Sequence, residues 1–178
     1  MAKSKDSEKA TKDPQTIKNG KLIYKLPEGC SIRDLELITD DRGSLVEIFN
    51  PKWEWSEYPL TYSHIFIIRS KKIKGWALHK TFEDRYFVVT GEMQMVLYDE
   101  RKDSKTYGLV SEIYLSDKRK QIINIPKGVW HADRNLRNSD LIVINFPTKL
   151  YNYKNPDKLR LPLDTNKIPF KFNNSKGW

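Results

Sequence analysis

Apolar residues in this chain fall in short blocks cut by turn-forming residues, and almost nowhere at the spacing of a helix face. Arg33 to Ile38 and Ser44 to Phe49 read as strands around the turn Asp40-Asp41-Arg42-Gly43. The series continues with His64 to Ile68, Gly75 to His79, Tyr86 to Val89 and Met93 to Leu97. Val110 to Leu115, Gln121 to Ile125 and Leu141 to Phe146 complete it. Turns at Thr90-Gly91-Glu92, Asp103-Ser104, Ser116-Asp117 and Pro126-Lys127-Gly128 separate the blocks at fairly even intervals. Many short strands with regular turns predict a closed or sandwiched all-β fold. Residues 1–20 are rich in Lys, Ser and Asp and poor in apolar groups, which predicts a flexible basic tail. Residues 21–178 then form a single domain. From Tyr151 the chain turns Asn/Pro/Lys-rich, which predicts a surface-wrapping segment with one short helical turn near Pro156.

Composition narrows the function classes. A length of 178 residues suits one domain, and 38% apolar residues suffice for a core. With 31% charged residues and no apolar run of about 18, the chain is not expected to span a membrane. The N-terminus lacks the apolar stretch of a signal peptide, and Cys30 stands alone, so neither an internal disulfide nor a thiolate zinc cluster is expected. A cytoplasmic protein is the expectation. Of the +9 formal charge, residues 1–21 carry +3 and the rest of the chain +6. That excess suits an anionic ligand such as a nucleotide diphosphate. The positive residues are scattered and no nucleic-acid-binding signature appears, so no nucleic-acid partner is expected.

The most specific stretch is Pro126-Lys127-Gly128-Val129-Trp130-His131-Ala132-Asp133-Arg134-Asn135. Pro and Gly build a tight turn, and the strand that follows can aim His131 inward. The stretch resembles the second motif of the cupin superfamily, P-x-G-x-x-H-x-x-x-N. The first cupin motif is partly met by His79, Asp84 and Gly91, with Ala77 where a first His would stand. The resemblance implies an all-β cupin, a double-stranded β-helix or jelly-roll barrel. His79, Asp84 and His131 would converge from different strands, and two His with one carboxylate can hold a divalent metal with open positions. His64 fits neither motif and reads as an ordinary core or surface side chain.

Within cupins, Asp41-Arg42-Gly43-Ser44-Leu45-Val46-Glu47, then Ala77-Leu78-His79, Gly91-Glu92 and Ile125 to His131 resemble the dTDP-4-dehydrorhamnose 3,5-epimerase family. That likeness runs from about Asp40 to Pro169. It implies a homodimeric enzyme without metal or other cofactor, acting on a 4-keto-6-deoxy sugar attached to a nucleotide diphosphate. It places His79 on the catalytic base and His131 on a second active-site histidine. Arg42 and Glu47 fall on an element contacting the nucleotide, partly across the dimer interface. Tyr153 lies near a family tyrosine, one position out of register.

The chain also departs from the family. Trp76 stands where an Arg grips phosphate, Ile144-Asn145-Phe146 carries no tyrosine, and the C-terminal Asp that orients the base has no counterpart at the end of the chain. Tyr151 or Tyr153 is then the expected protonating residue, and Lys72, Lys74 or Arg85 the expected phosphate grip. The expected function is an epimerase-like enzyme, a single-carbon epimerase or a ketoisomerase, in polysaccharide biosynthesis. Two alternatives stay open: a sugar-nucleotide-binding cupin without turnover, and a metal-dependent cupin using His79, Asp84 and His131.

Overall fold

A computed structural model describes residues 17–18, 21–53 and 59–172, with side chains from residue 23. The alternating blocks become strands. The short pieces β1 (Ile17–Lys18) and β2 (Lys21–Leu22) pair with each other, and residues 1–16 of the expected tail lie outside the described residues. Next come β3 (Ser31–Asp34), β4 (Leu37–Asp40), β5 (Gly43–Val46), β6 (His64–Ile68), β7 (Ile73–Leu78) and β8 (Asp84–Thr90). They are followed by β9 (Glu92–Asp99), β10 (Val110–Ser116), β11 (Gln121–Ile125), β12 (Val129–Asn135), β13 (Leu141–Asn145) and β14 (Leu159–Arg160).

Two five-stranded antiparallel sheets, β10-β9-β12-β7-β14 and β3-β11-β8-β13-β6, make the two walls of a jelly roll. Side chains from both walls meet in one core. Ile68, Val88, Ile123 and Val143 come from one sheet, and Met95, Leu97, Ile113 and Val129 from the other. At about 25 cal/mol per Å2 of apolar area, each of these side chains contributes roughly 1.5–3 kcal/mol on burial.

A β-bulge shapes the site. Opposite β7, the register of β12 slips between His131, which faces Ala77, and Ala132, which faces Gly75. Only Gly fits there: its φ is +143°, and an added Cβ would lie 2.5 Å from Ala132 Cβ. The slip turns both Lys74 and Ala77 to the barrel interior, although residues three apart on a regular strand face opposite sides. Trp76 faces outward and is covered by the C-terminal segment through Leu163, Ile168, Phe170 and Phe172.

Three details differ from the sequence pattern. Arg33 to Ile38 is two strands, because β3 pairs with β11 whereas β4 turns away to pair with β5. No helical turn forms near Pro156; Asn152 Oδ1 instead accepts the backbone N–H groups of Lys154 and Asn155, closing a polar turn. β14 is an additional edge strand on β7. Among the described residues no helix is long and apolar enough to cross a membrane.

Candidate functional site

The inward positions of the strands change character along the barrel. On β6 they run His64, Phe66, Ile68, on β8 Asp84, Tyr86, Val88, and on β13 Asn145, Val143, Leu141. The polar ends of these series, with His79, His131 and Asp133, surround a cavity of about 400 Å3.

Asp84 organises the cavity. Asn145 Nδ2 donates to its Oδ1 at 2.7 Å, which fixes the carboxylate on the wall. Its Oδ2 then faces His79 Nε2 at 3.3 Å, His131 Nε2 at 3.7 Å and the Tyr86 hydroxyl at 3.4 Å. Tyr86 Oη also lies 3.3 Å from His131 Nε2. His79 sits just past the end of β7, stacked on Phe82 with ring centroids 4.0 Å apart. Behind it, outside the cavity lining, Asp157 Oδ2 lies 3.6 Å from Nδ1. Asp157 is itself held by the backbone N–H groups of Lys80 and Thr81, at 3.0 and 3.1 Å. His79 Nδ1 makes no hydrogen bond at this distance; a proton there would face Asp157 and leave the Nε2 lone pair to the cavity.

Burial sets the protonation states. It lowers the pKa of His79 below the ordinary histidine value, partly opposed by the charge of Asp84. His131 is pushed down to about 3 by complete burial against the same opposing charge. Both imidazoles are therefore neutral at pH 7, and a value near 3 makes His131 a weak proton acceptor. Asp133 moves the other way: burial raises it to about 8, although Lys158 and Lys74 pull it down. Burial also lowers Lys158 and Lys74. Neutral bases, a protonated carboxylic acid and partly desolvated ammonium groups thus share one cavity, a combination typical of proton-transfer sites.

The structure brings together some of the expected residues and not others. His79, Asp84 and His131 meet at one carboxylate oxygen, but among the described residues no group of three His, Cys, Asp or Glu side chains is arranged to hold a metal ion. Tyr151 and Tyr153 pack edge to face at the cavity's rim, with Tyr153 84% exposed. Lys74 lines the cavity, whereas Lys72 is an exposed turn residue before β7. Arg85 is fully buried on the opposite face of β8 from Asp84. It donates to the carbonyls of Phe146 and Pro59, so it lies outside the cavity. Arg42 lies in the β4–β5 turn, its guanidinium on Asp40, and Glu47 lines a separate cavity with Arg33 and Trp53. Sequence reasoning missed Asp157, Lys158, Tyr86 and the inward aim of Asp133. For Asp133 the signal was present: it lies two residues after His131 on one strand and must share its face.

A family model described as dTDP-4-dehydrorhamnose 3,5-epimerase matches residues 25–176. The chain is 32% identical over 134 residues to "Probable low-salt glycan biosynthesis epimerase Agl13" of Haloferax volcanii, covering 75% of this chain and 86% of that protein. It is 36% identical over 138 residues to the spore coat polysaccharide biosynthesis protein SpsL of Bacillus subtilis, covering 78% of this chain and 83% of that one. Among solved structures, a dTDP sugar isomerase from Desulfovibrio desulfuricans superposes with a TM-score of 0.73 at 22% identity, over 82% of this chain and 91% of that one. This last likeness establishes the fold expected from the sequence, a cupin-type jelly roll.

Proposed function

The chain belongs to the dTDP-4-dehydrorhamnose 3,5-epimerase family, and from that premise we propose an epimerase-like isomerase acting on a nucleotide-diphosphate-linked 4-keto-6-deoxy sugar in polysaccharide biosynthesis. The observation that carries this reading is the setting of His79. A neutral imidazole presents Nε2 to the cavity, with the Asp157 carboxylate 3.6 Å behind Nδ1 and the Asp84 carboxylate 3.3 Å from Nε2.

The 4-ketone acidifies the C–H bonds on either side of it. His79 Nε2 takes one such proton, and the electron pair left on carbon delocalises onto the ketone oxygen as an enolate. Asp157 and Asp84 then stabilise the imidazolium formed. Lys158 and Lys74, partly desolvated in the same cavity, offset the enolate charge more effectively than they would in water. Return of a proton to the opposite face inverts the carbon. A positioned general base of this kind is worth about 10²–10⁴-fold in rate.

Incubation with dTDP-4-keto-6-deoxyglucose in D2O tests the reading. Proton NMR should show loss of the C3–H or C5–H signal with the wild-type protein and none with His79→Ala. Saturable binding of the sugar nucleotide without exchange by the wild type would replace the enzyme with a binding protein.

A homodimer belongs to the same proposal. Arg42 and Glu47 lie off the cavity of their own chain, and the β4–β5 hairpin that carries Arg42 exposes the cross-strand pair Ile38 and Leu45 on one face at 62% and 60%. Delivery of this hairpin to a second copy would cover its apolar face and bring Arg42 to a nucleotide. Light scattering should give twice the chain mass; a monomer would remove these residues from the site.

A further inference from the structure

Inversion at carbon needs a second proton carrier, and the cavity contains one that the family likeness does not supply. Asp133 follows His131 by two residues on β12, so both face the interior, about 7 Å apart along the strand. Its exposure is 3%, and its Oδ1 is buried with no hydrogen-bond partner. It also lines the cavity wall. A buried carboxyl oxygen without a protein partner is costly unless water, an ion, a ligand or a reaction uses it, and this one belongs to a residue lining the cavity that holds His79. Tyr153, the sequence-based candidate for this role, is 84% exposed at the rim.

We propose that Asp133 is the catalytic acid of this site, giving its proton to the carbon that His79 has deprotonated. This inference rests on the function proposed above. The step balances. His79 breaks the C–H bond and becomes imidazolium, and the enolate π electrons form a new C–H bond with the Asp133 proton. Asp133 is left as a carboxylate. The charged groups that bear on Asp133 are Lys158, Lys74 on β7 and Asp84 on β8. The two lysines favour the carboxylate left after transfer. Transfer from imidazolium back to Asp133 by way of solvent resets the site. Burial keeps the carboxyl protonated at neutral pH, as the role requires.

Asp133→Asn keeps the shape and removes the transferable proton. With dTDP-4-keto-6-deoxyglucose in D2O, Asp133→Asn should still exchange the proton abstracted by His79 while forming inverted product about 10²-fold more slowly than wild type. Asp133→Glu should recover part of that product rate. Inverted product at the wild-type rate from Asp133→Asn would overturn the assignment and leave the role of His79 intact. Absence of exchange in the wild type would instead overturn the function and this inference together. Infrared difference spectra give a readout that does not need turnover. A protonated-carboxyl band at pH 6.5 should be present in the wild type and missing in Asp133→Asn, and a spectrum without that band in the wild type would refute the proposal.

Discussion

Two buried aspartates sit in this barrel in opposite circumstances. Asp99, at the end of β9, is fully buried and accepts from the Arg101 backbone N–H at 3.1 Å, from Arg101 Nε and Nη2 at 2.8 Å, from Ser104 Oγ at 2.6 Å and from Thr106 Oγ1 at 2.7 Å. Burial alone would raise its pKa, but these bonds together hold it well below the usual carboxylate range. Asp133 is almost as buried, yet its Oδ1 has no partner and its pKa rises to about 8. The same residue type, closed to solvent in both places, is thus a charged structural anchor at the end of a strand and a neutral proton carrier deep in the barrel. Hydrogen-bond satisfaction and depth together make the difference. Where donors surround a carboxylate the barrel gains order, and where they are withheld it keeps a group ready for a substrate.

Substitutions should separate the two regions. His79→Ala should lower turnover by about 10³-fold or more with little change in melting temperature, checked by exchange rate and calorimetry. Asp99→Ala should do the reverse. Removing the acceptor strands the Arg101 fork and two hydroxyls, at about 3–5 kcal/mol of stability in urea unfolding, with activity per folded molecule retained.

The pH dependence of stability sharpens the contrast at Asp133. Its raised pKa means that the folded state holds a proton the unfolded chain releases near 3.8, so its contribution is complete below 3.8 and is lost as pH rises through about 8. His131, depressed to about 3, contributes the opposite slope, confined to pH below about 6.5. Between pH 6.5 and 8 the wild type should therefore lose about 1–2 kcal/mol relative to Asp133→Asn. Parallel stability curves over that window would mean that Asp133 is already ionised. The smallest effect belongs to Asp157, which touches the base and not the substrate. Asp157→Asn should reduce kcat about tenfold, leave KM unchanged and shift the acid limb of the kcat profile; a change in KM alone would remove it as a positioning group.

Much of the barrel and the centre of its site were legible in the sequence, for identifiable physical reasons. The turn Pro126-Lys127-Gly128 needs Gly at a φ of +81°, so that motif announced β12 and aimed His131. Residues related by strand period could also be placed: Arg85 follows Asp84 directly and therefore had to face the other side of β8. The bulge at Gly75 broke the same counting on β7, where it turned Lys74 into the cavity. Asp157 and Lys158 were out of reach for a different reason. They lie in an irregular segment with no periodicity, and only the folded chain returns Asp157 to a histidine 78 positions earlier. The sequence offers no counterpart of the family's C-terminal Asp at the end of the chain, and the carboxylate that stands behind His79 comes from Asp157 instead.

The most direct test of the account is a crystal structure with a bound dTDP-linked 6-deoxy sugar that lacks the ketone and cannot turn over. The sugar ring should fill the cavity, with C3 or C5 facing His79 Nε2 and the Asp133 carboxyl within reach of the same carbon. A sugar nucleotide seated elsewhere, with this cavity left to solvent, would contradict it.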